Sequence, residues 1–327
     1  PHDDLNMSQS TNDSYPTALK VAILMENDAV AEQAELLAMA LRAKGNDFLE
    51  VLKMGRTEMQ DAVPMTVGQE FHAMAAALES EIAIIRAYEQ PLLSLNMGGT
   101  AIGTGINAPK GYAEKTAKHL SRLTGKEFLV ADDLIAATWD QQAFLSASSA
   151  NRSLAVKLSK IASDLILLSS GPRAGLGEIN LPPVQPGSSI MPGKVNPVMA
   201  ELVNLVAYRV IGNDTSVMLS AKAGQLQLNA YEPLESMAIL DSQHLLTNTM
   251  RALREKCVDG ITVNEATLAS NIERTVGIVT ALNPVIGYEE ATELAKEAYA
   301  FDKGILEVIR EHGVLTEQQI EEVLDPA

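Results

Sequence analysis

Residues 187 to 197 read Gly-Ser-Ser-Ile-Met-Pro-Gly-Lys-Val-Asn-Pro. Ser188 or Ser189 offers a hydroxyl that can serve as nucleophile or base. Lys194 offers a cation, and Asn196 an amide that both donates and accepts. Gly187 and Gly193 permit unusual backbone angles, and Pro197 suits the first turn of a helix. Such a loop could hold an anion and move a proton. A structural linker has no need of this mixture, yet composition alone leaves linker and active-site loop equally open.

Two further polar stretches interrupt apolar patterns. Ser8-Gln9-Ser10-Thr11-Asn12-Asp13 precedes a helix start, where its side chains either cap the helix or, with the helix N-terminus, form an anion site. Gly55-Arg56-Thr57-Glu58-Met59-Gln60-Asp61-Ala62-Val63-Pro64 reads most simply as a loop joining two long helices. Gly98-Gly99-Thr100-Ala101-Ile102-Gly103-Thr104-Gly105 has the look of a phosphate cradle. It lacks the Gly-Lys-Ser/Thr ending of a P-loop and the dinucleotide spacing, so it reads as a tight loop. The five histidines are scattered without metal-site spacing, and Met54, Met59 and Met65 read as core.

Long helices must carry these stretches. One is expected from Asn12-Asp13-Ser14 and Pro16 to Gly45, with Val30, Ala34, Leu37 and Leu41 along one face. A second runs from Thr66 to Pro91 on Phe71, Ala75, Leu78, Ile82 and Ile85. A third runs from Asp140 to Ser169 on Leu154, Leu158, Ile161, Leu165 and Leu168. A fourth starts at Pro197, and a fifth runs from Pro233 to Asp259-Gly260. The expectation is an all-α protein. A central five-helix bundle of long helices occupies 1–260, and a small helical C-terminal domain 261–327. The C-terminal helices are placed at Asn264–Glu273, Gly287–Ala300, Ile305–His312 and Thr316–Val323.

Composition narrows the partners. The chain has 327 residues, 46% hydrophobic but only 4% aromatic, so its core is aliphatic and suits helices. The net charge of −17 argues against nucleic acid or an anionic membrane as partner. An anionic substrate would need local cations and backbone donors to overcome that field. A single cysteine, Cys257, excludes an internal disulfide and fits a reducing cytoplasm. No signal peptide or membrane-spanning apolar run is read, and the start at Pro1 is read as a missing natural N-terminus.

The 187–197 stretch resembles the signature of the fumarase/aspartase superfamily. Ser8–Asp13 and Gly55-Arg56-Thr57 match the same family in the same order. Four segments resemble its ammonia-lyase branch more than class II fumarase: 53–57, 60–66, 169–176 and 223–229. The resemblance implies reversible elimination of ammonia from L-aspartate to give fumarate, with no organic cofactor required. Carried over by position, Ser188 resembles the catalytic base, six residues before Lys194. Lys194 and Asn196 resemble ligands of the substrate carboxylate, and Ser10, Thr11, Asn12 and Thr57 the other binding residues. It also implies a homotetramer, each site shared among three subunits, and an upstream domain not found in this chain. Glu58 stands where many members have His or Gln, and Glu201 corresponds to a family carboxylate. If the two approach, they could hold an ammonium or an activating divalent cation. A fumarase-type hydratase and a non-catalytic oligomerisation core remain open alternatives.

Overall fold

The computed structural model describes residues 2–185, 187, 190–191, 193–275 and 277–325. Its elements are α1 (His2–Leu5), α2 (Thr11–Asp47), β1 (Leu52–Thr57), β2 (Gln60–Thr66), α3 (Val67–Ala87) and β3 (Ser94–Leu95). Then follow α4 (Tyr112–Thr124), β4 (Leu129–Val130), α5 (Ala136–Trp139), α6 (Gln142–Leu168), β5 (Ile179–Asn180), α7 (Val198–Ala223) and α8 (Glu232–Lys256). The chain closes with β6 (Thr262–Val263), α9 (Glu265–Arg274), α10 (Val279–Ile286), α11 (Tyr288–Ala300), α12 (Ile305–His312) and α13 (Glu317–Leu324). All five expected long helices are present. The strands form three two-stranded pairs: β1 with β2 antiparallel, β3 with β4 parallel, and β5 with β6 antiparallel.

The chain forms two compact units, each built from three stretches. One comprises Pro1–Ala38, Ala77–Ser163 and Val198–Arg254; the other Met39–Ala76, Asp164–Pro197 and Glu255–Ala327.

In the first unit, the parts of the long helices are joined by polar contacts between apolar seams. Gln243 on α8 donates to the Ile23 carbonyl and to Asn27 on α2, at 3.1 and 2.6 Å. Asn213 on α7 donates to Ser242 on α8 at 3.0 Å, and Ser148 on α6 donates to Asp214 on α7 at 2.7 Å. The apolar core around them includes Leu19, Ile23, Phe144, Val217 and Ile239. The expected seams are buried: Val30, Ala34 and Leu37 on α2 and Leu154, Leu158 and Ile161 on α6 in this unit, and Leu41, Leu165 and Leu168 in the stretches assigned to the second. Side chains three and four apart share a helical face, so the repeat itself selects the face that leaves water.

A buried charge cluster lies at the start of α8. Lys20 on α2 donates to the Ser94 carbonyl at 2.6 Å, and Gln141 donates to Glu232 at 3.3 Å. Glu235 is fully buried, and neither of its carboxyl oxygens has a hydrogen-bond partner. Burial, with the nearby charge of Glu232 adding, pushes the Glu235 carboxyl up to about 8. Burial also raises Glu232 to about 7, against the Gln141 hydrogen bond and the charge of Lys20. Burial lowers the Lys20 ammonium to about 8, opposed by Glu232 and Asp140.

In the second unit, a hairpin and the C-terminal helices share a core. Met54 on β1 packs with Ile272, Ile278, Leu282, Leu306 and Ile309 from α9 to α12. Glu178, 1% exposed at its side chain, fastens β1 from below. It pairs with Lys53 at 2.9 Å and with Arg56 at 2.5 Å, while Lys53 also reaches Glu70 at 2.7 Å. Asp61 on β2 accepts a hydrogen bond from Thr275 at 2.7 Å, which ties the other strand down. The 52–66 segment is therefore a hairpin where the sequence suggested a connecting loop. Met59 is 54% exposed at its tip rather than in the core.

Two stability predictions follow. Two carboxyls whose folded pKa lies above the ordinary 4.5 keep protons that the unfolded chain releases. Stability should therefore fall as pH rises from about 5 through 8, with a slope approaching ~1.4 kcal/mol per pH unit for each proton held. Lys20 acts in the opposite sense above about 8, where the unfolded chain binds the extra proton. Thermal melts of the full chain from pH 5 to 9 should show this decline, and Glu235→Gln should flatten it; a flat wild-type profile would show that these carboxyls are solvated. Glu178→Gln should cost about 3–5 kcal/mol in urea unfolding, because it strips charge from two mostly buried cations. A loss below about 1 kcal/mol would mean that Lys53 and Arg56 find other partners.

Candidate active site

The Ser8–Asp13 stretch builds the start of α2. Ser10 is the N-cap: its Oγ accepts from the Asn12 amide at 3.2 Å, and its carbonyl accepts from the amide and hydroxyl of Ser14. Asp13 returns the favour, its Oδ1 accepting from the Ser10 amide at 2.9 Å. The return bond is that of a capping box, with the acid three residues on reaching back to the N-cap amide, while the serine hydroxyl accepts from the second helical amide rather than the third. The hydroxyl of Ser10 thus accepts inward and keeps its hydrogen to donate elsewhere. Thr11 is exposed, while Ser10 and Asn12 are half-buried.

Pro16 lies inside α2 and has no N–H for the carbonyl four residues earlier, that of Asn12. The buried Asn96 side chain supplies the missing donor, at 2.9 Å. Asn12 in turn donates from its own amide to the Ala101 carbonyl at 2.8 Å. The helix start is thereby laid against the Gly98–Gly105 loop. That loop does hold an anion in its backbone amides: the Asp13 carboxylate, whose Oδ2 accepts from Gly98 at 3.1 Å and from Thr100 at 2.9 Å. The resemblance to a phosphate cradle had a physical basis, but the occupant is internal. Gly103 closes the loop at φ +92°, and a Cβ there would lie 2.4 Å from Ile135 Cα.

Thr57 ends β1, exposed, and Glu58 and Met59 form a two-residue hairpin turn before Gln60. Both have positive φ, +51° and +65°, the geometry of a type I′ turn. That turn usually recruits Asn or Gly. Its occupation by Glu and Met hid the hairpin from sequence reading and costs backbone strain at Glu58 and Met59.

The 187–197 stretch is described in part, and Ser188 lies outside the described residues, as does Ser189. Its two ends come together: a Cβ on Gly187 would sit 2.5 Å from the Lys194 carbonyl oxygen, so glycine permits the approach. Lys194 is exposed and its amide donates to the Met191 carbonyl at 3.2 Å; Asn196 is half-buried just before α7. Ile190, at 86% exposure, and Met191, at 51%, stand out from the loop.

The expected site residues thus fall into separate groups. Ser10, Thr11 and Asn12 are adjacent at one helix start in the first unit, and Glu201 lies exposed on the first turn of α7. Thr57 with Glu58, and Lys194 with Asn196, occupy a hairpin tip and a loop of the second. Sequence reading did not identify Asp13 and Asn96 as anchors of the first group. The only signals available were the Ser-x-x-Asp cap spacing and Pro16, whose missing N–H obliges another donor to be present. Among the described residues, no three His, Cys, Asp or Glu side chains cluster as a metal site would, and no helix is long and apolar enough to cross a membrane.

Known proteins match over the whole length. A family model described as "Lyase" matches residues 1–212, and one described as "Fumarase C C-terminus" matches 278–327. A protein of Pseudomonas canavaninivorans named aspartate ammonia-lyase is 51% identical over 327 residues, all of this chain and 69% of the relative. One of the same name from Escherichia coli K12 is 47% identical over 323 residues, 99% of this chain and 68% of the relative. The crystal structure titled fumarate lyase:delta crystallin from Brucella melitensis, bound to cobalt, superposes with a TM-score of 0.95 at 51% identity. It is matched over 100% of this chain and 71% of that one. A class II fumarase of Schistosoma mansoni superposes with a TM-score of 0.92 at 36% identity, with the same coverage. With its helical fold, its capped Ser-Thr-Asn motif and the 187–197 signature, the chain belongs to the fumarase/aspartase lyase superfamily, in which the aspartate ammonia-lyases are its relatives at about half identity.

Proposed function

We propose that the chain carries out the reversible deamination of L-aspartate to fumarate and ammonia. The observation that carries this reading is its 51% identity, over every residue of the chain, to proteins named aspartate ammonia-lyase. The match to the class II fumarase at 36% identity supports a hydratase less well.

In this reading Ser188 takes a proton from the β-carbon of aspartate. The electron pair left behind spreads into the adjacent carboxylate, giving a dianionic enediolate. That pair then forms the carbon–carbon double bond as the C–N bond breaks and ammonia leaves with its own pair. A serine hydroxyl is a weak base, so its alkoxide needs stabilisation from the Lys194 cation and from backbone N–H groups of the glycine-flanked loop. The developing carboxylate charge needs donors already in place. Lys194 and Asn196 supply a cation and an amide, and Ser10, Thr11, Asn12 and Thr57 supply hydroxyl and amide donors. No organic cofactor enters these steps, and closure of the loop would exclude water. Glu58 and Glu201 are proposed to bear on the departing ammonium or on a divalent cation.

The site is proposed to be assembled between copies of this chain in a cytoplasmic homotetramer. The exposed apolar side chains of α7 support this: Leu205, Tyr208, Met218 and Leu219 are 51 to 66% exposed. A row of that size on one helix suits a helix–helix interface.

The reading is tested by following fumarate absorbance with the full chain. L-Aspartate should yield fumarate, and fumarate should be consumed with ammonium but not with water alone; consumption without ammonium would favour the hydratase. Ser188→Ala should lower kcat by about 10²–10⁴-fold, whereas near wild-type turnover would remove Ser188 as the base. Lys194→Ala should raise the KM for aspartate as well as slow turnover, and an unchanged KM would exclude it as a carboxylate ligand.

A further inference from the structure

We propose that Asp13 is a positioning residue: its buried carboxylate, clasped by the backbone amides of Ser10, Gly98 and Thr100, holds Ser10 and Asn12 in the arrangement that receives a substrate carboxylate. The inference rests on the reading that Ser10 and Asn12 bind the dicarboxylate.

Three observations carry it. First, Asp13 is fully buried, and both of its oxygens are used on main-chain donors, Oδ1 on Ser10 and Oδ2 on Gly98 and Thr100. A carboxylate so close to a site for a dianion would repel the ligand if its charge were free. With three N–H groups directed at it, and a helix N-terminus beside it, that charge is compensated within the protein. Its place is therefore behind the binding residues.

Second, the clasp spans two distant parts of the chain, residues 10–13 and 98–100, and the same pair is joined on either side. Asn12 donates to the Ala101 carbonyl, and Asn96 donates to the Asn12 carbonyl that Pro16 leaves open. The side-chain amide of Asn12 is fixed at its nitrogen, and the backbone of Ser10 at both its N–H and its C=O. Removing Asp13 would free the Ser10 amide and take the shared acceptor from the Gly98 and Thr100 amides, loosening the turn to which the Asn12 side chain is tied through Ala101.

Third, Thr100 sits at φ +57°, a left-handed conformation that is unfavourable for a β-branched residue. Such strain persists only where the surroundings over-determine it. The Asp13 Oδ2 contact to the Thr100 amide supplies such a restraint, together with the Thr100 hydroxyl donating to the Gly99 carbonyl at 2.7 Å and the Gly103 and Gly105 amides that also end on that carbonyl.

The test is Asp13→Asn in the full chain. The amide keeps one acceptor and the size of the side chain but turns an NH2 against an N–H donor. A positioning role predicts an increase of about tenfold or more in the KM for L-aspartate, with kcat within about threefold. It also predicts hydrogen exchange about tenfold faster at the Gly98 and Thr100 amides, with the α6 amides unchanged. A kcat loss at unchanged KM would place Asp13 in the chemistry and overturn the proposal; unchanged KM and exchange would overturn it equally. Should D13N not fold, the wild-type chain still decides. Saturating succinate, a non-reacting dicarboxylate, should slow exchange at Gly98 and Thr100 by about threefold or more, since coupling between the clasp and the ligand is reciprocal. No change on succinate binding would overturn the proposal. If the wild-type chain neither turns over L-aspartate nor binds succinate, the functional reading fails, and the role of Asp13 in holding Ser10 and Asn12 then stands or falls on the exchange rates of D13N.

Discussion

Aliphatic side chains repeating every three and four residues along α2 and α6 bury one face of each helix, and the rest of the structure hangs from that burial. With 4% aromatics, the core has few large plates to organise it. Its order comes from many Leu, Ile, Val and Ala contacts along long seams. Such seams have little tolerance for polar side chains in their middle. Several of the polar groups that do occur there are paired across helices, as Gln243 is with Asn27 and Asn213 with Ser242, whereas the buried Glu235 carboxyl has no hydrogen-bond partner.

The proposed site residues accordingly lie at the ends of elements. Ser10 caps α2 and Thr11 and Asn12 open it, the 187–197 stretch leads into α7, and Thr57 ends a strand beside a hairpin turn. Helix starts present unpaired N–H groups, so they are natural places for hydroxyls, amides and anions. In a chain of net charge −17, this matters doubly. A dicarboxylate can be held only where donors are concentrated and where nearby carboxylates are already compensated. Asp13 meets that condition through backbone amides, and Glu178 meets it through Lys53 and Arg56.

The two compact units use different means to hold their polar residues still. In the first, a proline-induced gap in the α2 ladder is filled by Asn96, and the carboxylate of Asp13 nucleates the facing loop. In the second, a strand with two inward cations is clamped on one buried carboxylate, and the hairpin tip accepts strain at Glu58 and Met59. Strain beside proposed binding residues, compensated by surrounding bonds, is a common feature of sites that must be rigid before the ligand arrives.

Much could be read from the sequence alone. The periodicity of the apolar residues located three of the long helices, and Pro197 and Pro233 placed the other two by their starts, because these signals are local. The 187–197 signature pointed to the family because it is a long contiguous run of residue types at fixed spacing. What remained hidden depended on partners distant in sequence. The hairpin at 52–66 carries no Asn-Gly turn, and its first strand is fastened by Glu178, more than a hundred residues later. Asp13 looked like one cap residue among several until tertiary structure brought Gly98 and Thr100 to its carboxylate. Local propensity is written in neighbouring residues; which buried charge meets which donor is decided only when the chain has folded back on itself.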